Sequence, residues 1–347
     1  MASQELDGAD PMEKLKSHKG NLEILPFYCA PSDNHEINIR LKPSPDPYYG
    51  ARSWTNAPRI IVSKEKEANE IALAYLNSGA DGILFDCRSG EINMTDLFDK
   101  INLANCSVFF LVDKADDKWL QNYFSFVQKD FPNKEISGGV FWRNKAPCSL
   151  ETMTRFNQWP KFHAMGMVVP SQNQATDEVA DALFKAVQLI NSCTEGGMPA
   201  DWIINQLAFS VSVGTDFFLD IAKIKSLRNL WHQVVAAYGA VNPAPLHIHA
   251  ISKPWVNELY QPHSSMIKSV TAAMAAIAGG CNSLTIEPED EGDAMMGRVA
   301  RNVSSILREE SHFSKVADPT AGSYFMDSLV LQLSEKAWAT FQSQVKS

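Results

Sequence analysis

Eight short runs rich in β-branched and aromatic residues recur along this chain, with stretches of helical spacing between them. This alternation limits the fold more than any other feature. The runs are Arg59–Ser63, Gly82–Cys87, Ser107–Asp113, Gly138–Arg143, Met165–Pro170, Leu207–Gly214, Leu246–Ser252 and Ser283–Glu287. Most are apolar throughout, as expected of strands covered on both faces. Between them, Glu67–Asn77 places Ile71, Ala74 and Tyr75 on one stripe, and Asp117–Lys129 does the same with Trp119, Phe124 and Val127. Asp177–Cys193 carries Val179, Leu183, Ala186 and Ile190, with Thr176 as the expected N-cap. Phe217–Tyr238 and Ser264–Ala278 are the strongest helices, and the second, charged only at Lys268, is expected to be largely buried. Strand and helical crossover repeated eight times predict a (β/α)8 barrel. A doubly wound open sheet is the alternative, but no glycine-rich phosphate fingerprint follows the first strand.

The 347 residues can bury a large core. No apolar run reaches the roughly 20 residues that a membrane span needs, so no membrane partner is expected. The polar N-terminus lacks the apolar region of a secretory signal. A net charge of -9 argues against a nucleic-acid footprint. Cys29, Cys87, Cys106, Cys148, Cys193 and Cys281 lack metal or disulfide spacing and read as reduced residues of a cytoplasmic protein. The expected organisation is a disordered tail over 1–20, with Met12 a candidate natural start. An extended arm over 21–57, including the Pro43–Pro47 connector, the barrel over 58–330 and a C-terminal helix over 331–347 complete it.

Barrel enzymes carry their working residues at the C-terminal ends of the strands. Here those are Lys64, Asp86-Cys87-Arg88, Asp113-Lys114, Trp142 to Lys145, Ser171-Gln172, Thr215-Asp216, Lys253-Pro254-Trp255 and Glu287. They contain no nucleophile–base pair and no three-ligand metal set. His247 and His249 face one side of their strand and read as barrel-filling or hydrogen-bonding residues rather than metal ligands. Glu287 to Asp293 reads as a solvated acidic loop, since it lacks EF-hand spacing. Asp318 to Tyr324 reads as a turn with Gly322 at positive φ, in preference to a phosphate cradle. Met295-Met296 and Trp231 fit helix-core positions. Arg52, Arg88 and Arg143 are candidates for coenzyme A phosphates, and surface salt bridges explain them equally well.

The order LHIHAISKPW, GGCNSLTIEP, RVARNVSSILREES and VADPTAGSYFMDSL from Leu246 to Leu329 resembles the substrate barrel of the methylmalonyl-CoA mutase family, the cobalamin-dependent acyl-CoA mutases. The most specific part is Ala300-Arg301-Asn302 followed by Asp318-Pro319 and Gly322-Ser323-Tyr324. The resemblance implies substrate-binding positions at Arg52, Trp54, Thr55 and His249. It also exposes departures. Where catalytic chains have a tyrosine four residues after the matched threonine, this chain has Arg59. Their tyrosine–histidine pair after the fifth strand is absent from Pro170 to Gln174. Ile251 replaces their substrate-contacting glutamine, and Ala250 to Trp255 is closer to the non-catalytic small-subunit type. The cobalt-ligating Asp-x-His-x-x-Gly motif has only a chance counterpart, Asp33-Asn34-His35, with Asn38 in place of glycine.

The resemblance therefore implies a small-subunit-like component supporting a catalytic large subunit that interconverts succinyl-CoA and methylmalonyl-CoA. Adenosylcobalamin is the cofactor of that complex, and none is expected to bind this chain alone. The implied partner is a mutase large subunit (heterodimer) or a second copy (homodimer), with acyl-CoA a candidate ligand. An active substrate domain served by a separate cobalamin-binding chain, and a scaffold that has left the chemistry, are the alternatives. Active members admit the pantetheine arm through a tunnel lined by small hydroxyl side chains. In this chain the axis is expected to be filled if the bulky faces of the sixth and seventh strands (Phe209, Val211, Val213; His247, His249, Ile251) point inward.

Overall fold

The computed structural model describes residues 2–29, 40–44, 50–88, 92–113, 117–144, 146, 151, 154–240, 243–253 and 264–346. The barrel strands are β1 (Thr55–Asn56 and Arg59–Ile61), β2 (Gly82–Cys87), β3 (Ser107–Val112), β4 (Gly138–Trp142), β5 (Phe162–Val168), β6 (Leu207–Val213), β7 (His247–Ser252) and β8 (Ser283–Thr285). All neighbouring pairs are parallel. Thr55–Asn56 begins the sheet order and Arg59–Ile61 ends it. These are two halves of one strand, interrupted where Pro58 has no N–H to donate. On one side Ala57 N donates to Leu284 O (3.0 Å). On the other, Leu84 N donates to Pro58 O (3.0 Å). The nine segments are therefore eight strands, and the sheet closes on itself as expected.

The principal helices are α1 (Glu65–Leu76), α2 (Asp117–Asp130), α3 (Ala175–Glu195), α4 (Phe217–Ala237), α5 (Ser264–Gly279), α6 (Ala294–Glu309) and α7 (Tyr324–Lys346). No helix among the described residues is long and apolar enough to cross a membrane. The expected burial of α5 holds for Ala272, Ala273, Ala275 and Ala276, while Ile267 near its start is exposed. Trp231 is buried as expected, but Met295 is 59% exposed and is no core residue.

Several boundaries differ from the sequence reading. β5 begins at Phe162, where Trp159 and Phe156 extend its apolar surroundings. Thr176 is not the N-cap of α3. Gln174 occupies that position without a side-chain cap bond, and the Thr176 hydroxyl instead accepts from Asn21 Nδ2 at 3.0 Å. The boundary at residue 20 falls inside an antiparallel hairpin, Ser17–Lys19 with Leu22–Ile24. Its turn is Gly20 at φ 59°, and buried Leu22 and the Glu23–Gln332 backbone–side-chain bonds pin it to α7. The last helix begins at Tyr324 rather than at 331, immediately after the expected turn with Gly322 at φ 84°. Cys193 is disulfide-bonded, contrary to the all-reduced reading. Spacing along a chain does not report approach in space. Asp33 to Asn38, most of the Pro43–Pro47 connector, Lys114, Lys145, Cys148, Pro254 and Trp255 also lie outside the described residues.

Gly138 shows how tightly the strands approach. Its φ is 134°, and a Cβ there would sit 1.8 Å from Val108 O. Gly138→Ala is expected to destabilise the fold by about 3 kcal/mol or more, since backbone rather than a side chain blocks the space. A thermal midpoint within 2 °C or so of the parent would contradict this.

Candidate functional site

Among the described residues, buried side chains fill the axis of the barrel. Ala57, Leu84, Phe109, Leu111, Phe141 and Ala208 form a separate buried cluster, with Val168 and Ile251 packed on it. Phe109 and Phe141 stack at 5.9 Å, and His249 stacks on Phe141 at 5.0 Å and on Phe109 at 6.2 Å. His247 contacts Phe109 at 5.5 Å and His163 at 4.9 Å. The expected filling thus comes partly from other residues. Phe209 faces outward onto Trp231 of α4, 5.4 Å away, so the small face of β6 (Ala208, Ser210) points inward. The missing bulk is supplied by Phe109 and Phe141, which the sequence reading did not single out. Strand parity could have found them: Phe109 pairs in register with Leu84, two residues before Asp86 at the mouth.

A buried polar chain runs through this core. Thr285 Oγ1 donates to Ala57 O at 2.5 Å, so its lone pairs are left to accept from His249 Nε2 at 3.0 Å. His249 Nδ1 then accepts from Ser210 Oγ at 2.8 Å. This order assigns the Nε2–H tautomer to a neutral ring. Burial pushes His249 down to about 3 and His163 down to about 4. Burial first, then His163, His249 and Arg228, hold His247 well below the ordinary range. His247 Nε2 meets Ser283 Oγ at 2.9 Å. His247 and His249 fill space and hydrogen-bond, as read from the sequence. No group of three His, Cys, Asp or Glu among the described residues could hold a metal ion.

Among the described residues, paired charges line the C-terminal mouth. Arg59, which opens the second half of β1, donates to Asp86 (2.8 Å) and through Nε to Glu287 (2.8 Å), and also reaches Glu291. Arg143 bridges Asp86 (2.9 Å) and Asp113 (2.6 Å), and Arg88 adds a third arginine to Asp86 at 3.1 Å. Asp86 is fully buried. Burial alone would raise its pKa, but Arg143, Arg88 and Arg59 outweigh that and hold it below the usual range. Glu287 is raised by burial despite Arg59. The stretch 287–293 is therefore not simply a solvated loop, because Glu287 and Glu291 are committed to Arg59. Alongside, Lys223 holds Glu178 and Asp220, both at 2.9 Å, and so ties the segment after β5 to α4. Gln172 turns away to Asp177 O at 3.4 Å.

The four positions matched by resemblance do not converge. His249 lies in the axis. Arg52 lies at the opposite, N-terminal end, where it donates to Cys281 O. Trp54 faces outward, with Nε1 donating to Ser304 Oγ of α6 at 2.8 Å and Arg308 over its ring at 4.9 Å. Thr55 pairs with Ser283. Trp54 and Thr55 border an N-terminal-face recess of about 410 Å³ with Asp81, Asn105, Lys161 and Asn282. Arg88 and Arg143, the other candidates for coenzyme A phosphates, are both in ion pairs.

A closed parallel barrel with its charged groups at the C-terminal mouth is a (β/α)8 protein of the architecture that hosts enzyme sites at that end. Residues 156–346 match the family model described as Methylmalonyl-CoA mutase, and the chain belongs to that family. Among curated relatives, the methylmalonyl-CoA mutase small subunit of Porphyromonas gingivalis is 29% identical, covering 96% of this chain and 60% of the relative. The methylmalonyl-CoA mutase of Cereibacter sphaeroides is 30% identical over 99% of this chain and 57% of its own length. A small subunit from Streptomyces virginiae is 31% identical over 48% of this chain and 28% of its own length. The chain thus spans about 60% or less of the length of these relatives.

Proposed function

We propose that this chain is a small-subunit-type component of a methylmalonyl-CoA mutase. In this reading it supports a catalytic large subunit that interconverts succinyl-CoA and methylmalonyl-CoA with adenosylcobalamin in the cytoplasm. The observation that carries the reading is the filled axis. Phe109, Phe141 and His249 occupy the line along which a pantetheine arm would thread, and close packing leaves no room for it without rearranging the core. The small-subunit names of two of the relatives favour the same reading. Arg52, Trp54, Thr55 and His249 then serve the barrel itself rather than a substrate.

The residues at the mouth do not fit the cofactor that the family implies. A largely apolar face would rest there on Arg59, Asp86, Glu287 and Arg143, a network whose partners are already satisfied. Displacing it would uncover buried charge.

Two measurements test the proposal. Co-expression with a mutase large subunit is expected to give a heterodimer with mutase activity, while this chain alone gives no turnover. Calorimetric titration of the isolated chain with pantetheine, the uncharged arm of the substrate, is expected to show no saturable binding. Tight pantetheine binding, or a homodimer that ignores the large subunit, would overturn it.

A further inference from the structure

A second cleft lies outside the barrel, between α1 and α6, beside the end of β1. It encloses about 490 Å³, with Ile71, Tyr75 and Ser78 on one wall and Gly297, Arg298 and Arg301 on the other. Arg301 is only 7% exposed. Its guanidinium lies over the Tyr75 ring at 5.5 Å, and one terminal nitrogen donates to Asn302 Oδ1 at 3.1 Å. Its Nε is buried and has no hydrogen-bond partner among the described residues. Arg298 lies one turn earlier on the same helix, close enough that its charge bears on Arg301. Among the described residues, neither arginine is in an ion pair.

The carboxylates at the rim already have partners, although Arg59 borders the same cleft. Glu291 pairs with Arg59, and Asp293 caps α6 by accepting from Met295 N (2.7 Å) and Met296 N. The cleft therefore combines an apolar wall with two guanidinium groups that no carboxylate pairs among the described residues. A buried donor without an acceptor is costly, and like charges one helical turn apart repel. Both costs would be removed by one oxyanion. Gly297 completes the shape, since a Cβ there would come within 2.6 Å of the Tyr75 hydroxyl. The absent side chain leaves that phenol free as a third donor.

We propose that this cleft binds a small oxyanion, carboxylate or phosphate monoester, that carries a short apolar body. The oxygens accept from Arg301 Nε, Arg298 and the Tyr75 hydroxyl, and the body lies on Ile71 and Ala74. The proposal is independent of the small-subunit reading, because its donors, Arg301, Arg298 and Tyr75, belong to neither the axis nor the mouth network.

The test is calorimetric titration of the whole chain with hexanoate, hexyl phosphate and inorganic phosphate as separate arms. Saturable binding of at least one hexyl-bearing anion, at least tenfold weaker in Arg301→Gln, is expected. Preference for hexanoate or hexyl phosphate distinguishes the carboxylate from the phosphate source. Arg298→Gln, on an exposed side chain, provides a variant that keeps the fold and is expected to weaken binding about threefold. No saturable binding of either hexyl anion by the parent, binding unchanged in Arg298→Gln, or inorganic phosphate matching hexyl phosphate would overturn the proposal.

Discussion

Asp86→Ala is expected to remove about 3–5 kcal/mol of stability, the scale for breaking a buried ion pair by deleting one partner. The carboxylate is fully buried and receives Arg59, Arg88 and Arg143. Its loss leaves Arg59 and Arg143 side by side at the mouth with one acceptor fewer between them. Removing both ends of a pair should behave differently. Arg59→Leu with Glu287→Leu replaces two buried charges by apolar volume and should cost far less than Asp86→Ala. Urea unfolding of the three proteins checks the comparison. A loss below about 1 kcal/mol for Asp86→Ala would mean that water already solvates these arginines.

Acid is expected to destabilise the protein well above the carboxylate range. His163, His247 and His249 ionise near 6.5 in an unfolded chain but are held far lower inside the barrel. With folded values depressed, the unfolded state binds protons first as pH falls. Their contribution is fully present above about 6.5 and declines as pH drops toward 4. Each histidine loses about 1.4 kcal/mol over one pH unit in that window. Together they account for about 4 kcal/mol between pH 7.5 and pH 5.5. Glu287, raised by burial, works weakly in the opposite direction. Urea midpoints at the two pH values measure the loss, and His249→Gln should reduce it by about one third. Equal midpoints at pH 7.5 and 5.5 would show that the imidazoles are not held neutral.

Much of this was legible before any coordinates. β2 and β7 carry near-continuous apolar or β-branched runs, and their ends hold to within a residue. β1 was harder, because Pro58 divides it and its first half, Thr55–Asn56, is too short to signal a strand. The site was less legible than the fold. Which side of a strand faces the axis is a parity choice, and Leu207–Val213 offers an apolar residue on either face. Asp86 and Arg59 could be placed at strand ends from the sequence, but their mutual pairing depends on sheet register. Arg301 belongs to a motif that the sequence shows, yet its bare Nε follows only from setting α1 and α6 side by side.

The divided strand also has a consequence for how the protein is made. Thr285 and Ala57, which share a hydrogen bond, are 228 positions apart along the chain. One margin of β1 must therefore wait, with its amides and carbonyls unpaired, until nearly the whole polypeptide has emerged. Such a margin is a template for the wrong neighbour, and contacts this distant in sequence form late. The hazard for this barrel thus lies in its synthesis. Slow or interrupted translation between β7 and β8 should yield aggregates even under conditions where the finished protein is stable.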